Sequence, residues 1–377
     1  MKKLILSLIV LTSLTITNCS KSEENATTQE ENPLNPQRPQ VPQPNQEPPI
    51  TSADFTLSED GKTLVRWNNT TRTTLDMKAH PLLSQVTTID SWAFEDRNSL
   101  KTIVFPETLT TIKGGAFSKT GLTSVIIPET VTSIGNYAFS NCNSLTSVSI
   151  PKTVTDLGDW IFENCGNLEE VTYGPKTLKA SLFNNCTSLR KVILLEGVTT
   201  IGTWAFENRK ALKEVHFSST VTTINANAFS GSGLSTITIP ETITTIGASA
   251  FSNCKSLISA SIPKSVISLG DWVFENCENL EEVTFGPKTL KNALFSGCTN
   301  LKNVTLLEKI TTIGPWAFEN RTNFTTLTIK ATTPPSIGEI TFKNTALTHI
   351  YVPAASVDTY KNDRKWGVFA DKIQAIP

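Results

Sequence analysis

The chain has 377 residues, with 33 lysines and arginines against 34 aspartates and glutamates, three histidines and seven cysteines. A formal charge of −1, without a basic run, leaves a nucleic-acid partner unsupported. None of GxxxxGK(S/T), GxSxG or HExxH occurs, so the residues needed to cradle a phosphate, to build a nucleophile elbow or to hold a protease zinc are missing; no catalytic group, metal or cofactor is expected.

The amino terminus opens with Lys2-Lys3 and an apolar run from Leu4 to Ile16. As a helix this run would rise about 20 Å, short of the ~30 Å core of a bilayer, so it reads as a secretion signal and not as a span. It ends at Ile16-Thr17-Asn18-Cys19, with a cysteine where bacterial lipoprotein precursors are cut and acylated; Asn18 departs from the small residue usual at that place. Residues 1–19 are therefore expected to be a signal peptide ending at lipidated Cys19, where several acyl chains, at about 0.8 kcal/mol per buried methylene, would anchor the chain to a membrane. The alternative is an ordinary secreted protein with an incidental cysteine. Residues 20–50 are rich in Ser, Glu, Asn, Gln and Pro, the composition of a disordered tether. Within residues 51–85, Phe55 to Trp67 reads as a hairpin turning at Asp60-Gly61 and serves as an amino-terminal cap.

From residue 86 one pattern recurs about twelve times: Ile or Leu, usually Gly, Ala-Phe, a few polar residues, Leu, and Val/Ile-x-Ile-Pro. The phenylalanines at 94, 117, 139, 162, 183, 206, 229, 251, 274, 295, 318 and 342 lie 21 to 24 residues apart. In Leu145 to Pro151 the apolar residues alternate, the mark of a strand with one buried face. Val154 to Gly158 is expected to turn the chain, and Ile161-Phe162 to return it to the core. One such coil cannot bury its own apolar face, so stacking and end caps supply the stability. Residues 86–352 are expected to form a leucine-rich repeat solenoid of about twelve right-handed coils, one short strand per coil, on the order of 57 Å long at ~4.8 Å per coil. A second period lies over the first. Glu163–Arg209 is nearly identical to Glu275–Arg321, an offset of 275 − 163 = 112, so a five-coil block is duplicated in tandem.

Stacking turns sequence positions into columns. Cys142, Cys165 and Cys186, and again Cys254, Cys277 and Cys298, each follow a phenylalanine by three residues. They read as buried free thiols packing as small hydrophobes; one bridge per trio is the alternative that the stacking distance allows, and zinc lacks a CxxC pair or histidine ligands. His216 and His349 fall on the strand face about 29 Å apart, too far to share a site, with His80 elsewhere. Glu170, Lys191 and Glu214 are neighbours on successive strands, an alternating ladder that fits cross-strand pairing better than general acid–base work. The remaining outward strand positions are mostly Ser and Thr, residues that suit exposed strands on the face solenoids commonly use for recognition. Glu170, Lys191, Glu214, His216 and Glu282 are the candidate binding residues there. Trp92, Trp160, Trp204, Trp272 and Trp316 recur two residues before the phenylalanine. Packing against neighbouring coils is their first reading; Trp160, Trp204, Trp272 and Trp316 are also candidates for stacking on sugars or anchoring a protein.

Residues 353–377 close the array, with Val357, Tyr360 and Trp366 spaced for a short amphipathic helix. The coil consensus seen in Leu122–Phe139 and Leu234–Phe251 is similar to the BspA-like leucine-rich repeat family of bacterial surface proteins, over roughly residues 86–350, and Ile350–Tyr360 looks like that family's terminus. Val171–Lys176 and Val283–Lys288 depart from it by replacing Ile-Pro with an aromatic-Gly-Pro. Glu23-Glu24 after Cys19 resembles the export signal that takes lipoproteins of Gram-negative gut and oral anaerobes to the outer face of the outer membrane. The resemblance implies a class of ligand, host matrix proteins such as fibronectin and fibrinogen, and no shared binding motif. The function expected is a non-enzymatic, surface-anchored adhesin or interaction scaffold with two similar faces roughly 24 Å apart. A glycan-capturing lipoprotein that uses the tryptophan row to assist outer-membrane uptake, and a spacer without a ligand, are the alternatives.

Overall fold

The computed structural model describes residues 47–377; the signal peptide, Cys19 and nearly all of the tether lie outside the described residues. Each coil carries one strand of three or four residues where alternation placed it. In Ser147–Ile150, Val148 and Ile150 are buried while Ser147 and Ser149 face outward. Successive strands pair in parallel without slippage, Ser147 beside Glu170, Glu170 beside Lys191, and Lys191 beside Glu214.

The stretch read as a turn adds a second, two-residue strand to each coil. Asp156–Leu157 is one such strand, and Ser133 and Ile134 pair with it in parallel. Two residues are too few for alternation to register in the sequence, so only the glycine after them was visible. Threonine hydroxyls tie the rungs further: Thr123 donates to the Lys101 carbonyl at 3.2 Å and Thr146 to the Thr123 carbonyl at 3.0 Å.

The solenoid has about 14 turns, two more than the phenylalanine count. Thr74–Asp76 pairs with Thr102–Val104 at the front, and Ile373–Ala375 pairs with Ile350–Val352 at the back. Neither added rung belongs to a coil with the Ala-Phe pair, which is why the count misses them.

A stack of aromatic rings forms the centre of the core. Phenylalanines 94 through 318 of the column are fully buried, and consecutive ring centroids lie from 4.7 Å (Phe94 to Phe117) to 6.3 Å (Phe183 to Phe206) apart, within the range of stacked pairs. Trp67 extends the stack at the front, 5.8 Å from Phe94, and Trp366 at the back, 5.9 Å from Phe342. At the front, Phe55–Leu57 and Thr63–Trp67 form an antiparallel pair whose turn holds Gly61 at φ +68°. At the back, the helix is only Val357–Lys361, and Trp366 lies beyond it. Tyr360 and Trp366 are buried and donate to the carbonyls of Ala331 (2.9 Å) and Pro335 (2.7 Å).

The duplication is visible in the sheet. The longer-strand ladder is interrupted between Thr102–Val104 and Ser124–Ile126 and again between Glu214–His216 and Thr236–Thr238, an offset of 236 − 124 = 112. A glycine precedes each resumption. A Cβ on Gly121 would lie 1.9 Å from the Asn98 carbonyl oxygen, and one on Gly233 1.9 Å from that of Lys210.

Candidate functional site

The charged strip lies on the outer face of the longer-strand ladder. Lys191 Nζ stands 4.0 Å from Glu170 Oε2. Glu214, although the register partner of Lys191 on the other side, turns instead to His216 two residues along its own strand, Oε2 to Nε2 3.4 Å. The expected alternating ladder therefore closes on one side only. Both partners of the Glu214–His216 pair point outward by strand alternation, and side-chain reach rather than register decides the pairing. These exposed pairs contribute at most about 1 kcal/mol each to stability. Among the described residues no three His, Cys, Asp or Glu side chains are grouped to hold a metal.

Two depressions indent this face. One of about 160 Å³ lies over Ser147, Ser149, Glu170 and Lys191, with Ile126 and Ile193 beside them. The other, of about 320 Å³, lies over Ser259, Ser261, Glu282 and Asn303, with Thr238 and Thr305 beside them. Every residue lining the first has its counterpart 112 positions later lining the second. The lining positions are duplicated, but the size and the chemistry are not. Ile126, Lys191 and Ile193 give way to Thr238, Asn303 and Thr305, which enlarges the second depression and removes the lysine. Glu282 there accepts a hydrogen bond from Asn303 Nδ2 at 3.3 Å.

The tryptophans stand on another side of the coil. Trp92, Trp160, Trp204, Trp272 and Trp316 keep 45, 39, 52, 48 and 49 % of their exposure, so packing accounts for only part of each ring. Trp92 covers Gly115, where a Cβ would meet the ring at 2.2 Å, and Trp160 stacks on Tyr137 with centroids 5.4 Å apart. All five have φ between 55° and 61°, a left-handed conformation that a bulky residue takes only where its surroundings impose it. Asn227 and Ala293 occupy the same column with φ +55°. The coil path sets the conformation, and the ring is carried outward by it.

The six coil cysteines are buried free thiols. Each donates to the carbonyl of a phenylalanine in the preceding part of the stack, as Cys165 does to Phe139 and Cys277 to Phe251, both at 3.1 Å. Burial pushes the Cys186 and Cys298 thiols up to about 12. Arginine takes over this column at Arg97, Arg209 and Arg321; the Nε atoms of Arg97 and Arg321 donate to the carbonyls of Trp67 (2.9 Å) and Phe295 (3.1 Å). One column escaped the sequence reading. Asn141, Asn164, Asn185, Asn208, Asn253, Asn276, Asn320 and Asn344 all sit at φ 55–59°, a region that asparagine tolerates, and neighbours bond side chain to side chain, Asn185 Nδ2 to Asn164 Oδ1 at 2.8 Å. Its signal is the Asn two residues after most of the phenylalanines.

The family model for the BspA type leucine rich repeat region matches residues 72–186, 176–292 and 287–363. The chain belongs to the BspA-type leucine-rich repeat family. Among solved structures, a leucine-rich repeat protein from Bacteroides ovatus is 26 % identical over 84 % of this chain and 88 % of its own, with a TM-score of 0.58. A leucine rich cell surface protein from Faecalibacterium prausnitzii is 24 % identical over 88 % of this chain and 100 % of its own, with a TM-score of 0.38. A leucine rich repeat protein from T. pallidum is 26 % identical over 48 % of this chain and 78 % of its own, with a TM-score of 0.36. No curated protein matches the chain. Within this BspA-type array the two coils that break the consensus are closed from inside. The Tyr173 hydroxyl donates to the Thr177 carbonyl at 2.6 Å, and Gly174 and Gly286 pass so near the preceding coil that a Cβ would lie 2.4 Å from the amide nitrogens of Lys152 and Lys264.

Proposed function

We propose that this BspA-type protein is a surface-exposed, lipid-anchored scaffold of the adhesin class that binds host matrix or cell-surface proteins through the outer face of its longer-strand ladder. The observation that carries the reading is the recurrence of one depression, position for position, 112 residues further along. Five rungs at ~4.8 Å put the two about 24 Å apart. Two contacts on one stiff support raise avidity when a single ligand or layer spans both. The leader and Cys19 support export and anchoring at the outer membrane, facing outward.

The test is binding of the full chain to immobilised fibronectin and fibrinogen. Exchanging the charges of Glu170 and Lys191 in one variant, and placing lysine at Glu282 in another, is expected to lower avidity at least about tenfold each, with the combined variant losing binding. Undiminished binding by all three variants overturns the reading. Capture of glycans along the tryptophan row is a second reading, favoured by the half-exposure of all five rings.

A further inference from the structure

A depression of about 480 Å³ opens beside Trp272, within the roughly 300–1,000 Å³ of small-molecule sites. Trp272 lines one side and Pro315, two coils on, the other, with Leu290 and Ala293 between them. The coil between is two residues shorter than the next, 295 − 274 = 21 against 318 − 295 = 23, a shortening that the first block shares at 183 − 162 = 21. Its polar groups are free to serve a ligand. The Thr289 hydroxyl and the Asn292 side-chain amide have no hydrogen-bond partner among the described residues, whereas Lys291 Nζ and Asp271 Oδ1 neutralise each other at 3.1 Å. Asn292 Oδ1 also depends on Gly314, where a Cβ would lie 2.1 Å from it.

We infer that this notch binds a neutral pyranose unit of a glycan, its apolar C–H face against the Trp272 ring and its hydroxyls paired with Asn292 and Thr289. The inference rests on the glycan reading of the tryptophan row and narrows it to one ring of five. An exposed aromatic face offers a large apolar contact at little entropic cost, unpartnered amide and hydroxyl groups match the donors and acceptors of a sugar, and a neutralised rim offers no counter-charge to an acidic one. The first block supplies a natural comparison. There Asn292, Ala293 and Pro315 are replaced by Ala180, Ser181 and Thr203, and the Ser181 hydroxyl is spent on Asp159 Oδ1 at 2.9 Å. Trp160 is thus the same ring in the same column, with Thr177 standing where Thr289 does but without the amide of Asn292.

The experiment is an array of neutral, sialylated and sulfated oligosaccharides probed with the full chain, followed by titration of the best neutral binder. The variants are Trp272→Asn, Asn292→Ala and Trp160→Asn. Asparagine suits the backbone, since Asn227 holds the equivalent position at φ +55°, and Asn292 is exposed, so neither change threatens the fold. Binding of neutral glycans is expected to weaken at least about tenfold in Trp272→Asn, the usual loss on removing a central aromatic anchor, and several-fold in Asn292→Ala, with Trp160→Asn unchanged. Full binding by Trp272→Asn, or an equal loss in Trp160→Asn, overturns the assignment to this notch and leaves the wider glycan reading standing. A preference for sialylated or sulfated chains overturns the neutral class, and no glycan bound by the unaltered chain overturns both.

Discussion

A carbonyl oxygen decides the identity of Gly121. With the Asn98 oxygen 1.9 Å from where a Cβ would sit, Gly121→Ala is expected to cost about 3 kcal/mol, and Gly233→Ala the same against Lys210, read as a shift in urea midpoint at constant slope. The buried thiols give a prediction of opposite character. Cys186 and Cys298 ionise near 9.0 when unfolded but are pushed up to about 12 when folded. The folded state therefore holds more protons between these values, so their contribution to stability is complete below about pH 9 and is lost as pH rises toward 12. The double variant with alanine at both positions should show a flatter fall in melting temperature over that interval. In the native full chain the six coil thiols should resist a disulfide reagent at pH 8, and all six should react once the protein is unfolded.

The stacked phenylalanines give the coil its own scale of stability. Each ring touches the one before and the one after, so Phe206→Ala removes two stacking faces at once and is expected to cost about 3–5 kcal/mol. Because coils meet only their neighbours, the loss should be local, seen as faster amide exchange around residues 183–229 with the distant coils still protected. The same rings explain what was legible beforehand. Their spacing carried the repeat and the longer strands, since a bulky apolar residue every 21 to 24 positions has one place to go. The two-residue strands left no periodicity to detect. Column membership was legible for the tryptophans, yet their exposure follows from the positive φ of the coil path, which spacing does not encode. Strand alternation likewise put Glu214, Lys191 and His216 on one face, while the choice of partner depends on side-chain reach.

For the whole molecule the ends matter as much as the middle. Trp67 and Trp366 continue the aromatic stack into hairpin and helix, and the rung Ile373–Ala375 covers Ile350 and Val352. Removing residues 353–377 would uncover a parallel strand edge together with Phe342, a template for association with other chains. Such a truncation is expected to form larger species in size-exclusion chromatography and to lose protection from the last coils inward.

The matched interruptions at Gly121 and Gly233 bear on how such a gene can change. Residues 121–232 and 233–344 each begin with a glycine seated on the coil before it, so the seam between the two blocks repeats the seam in front of the first. A third copy inserted there would meet surfaces already fitted to it on both sides, and unequal recombination between the nearly identical stretches Glu163–Arg209 and Glu275–Arg321 could add or delete a unit without posing a new folding problem. The length of the array, and the number of copies of the duplicated depression it carries, can therefore evolve in whole steps of about 24 Å.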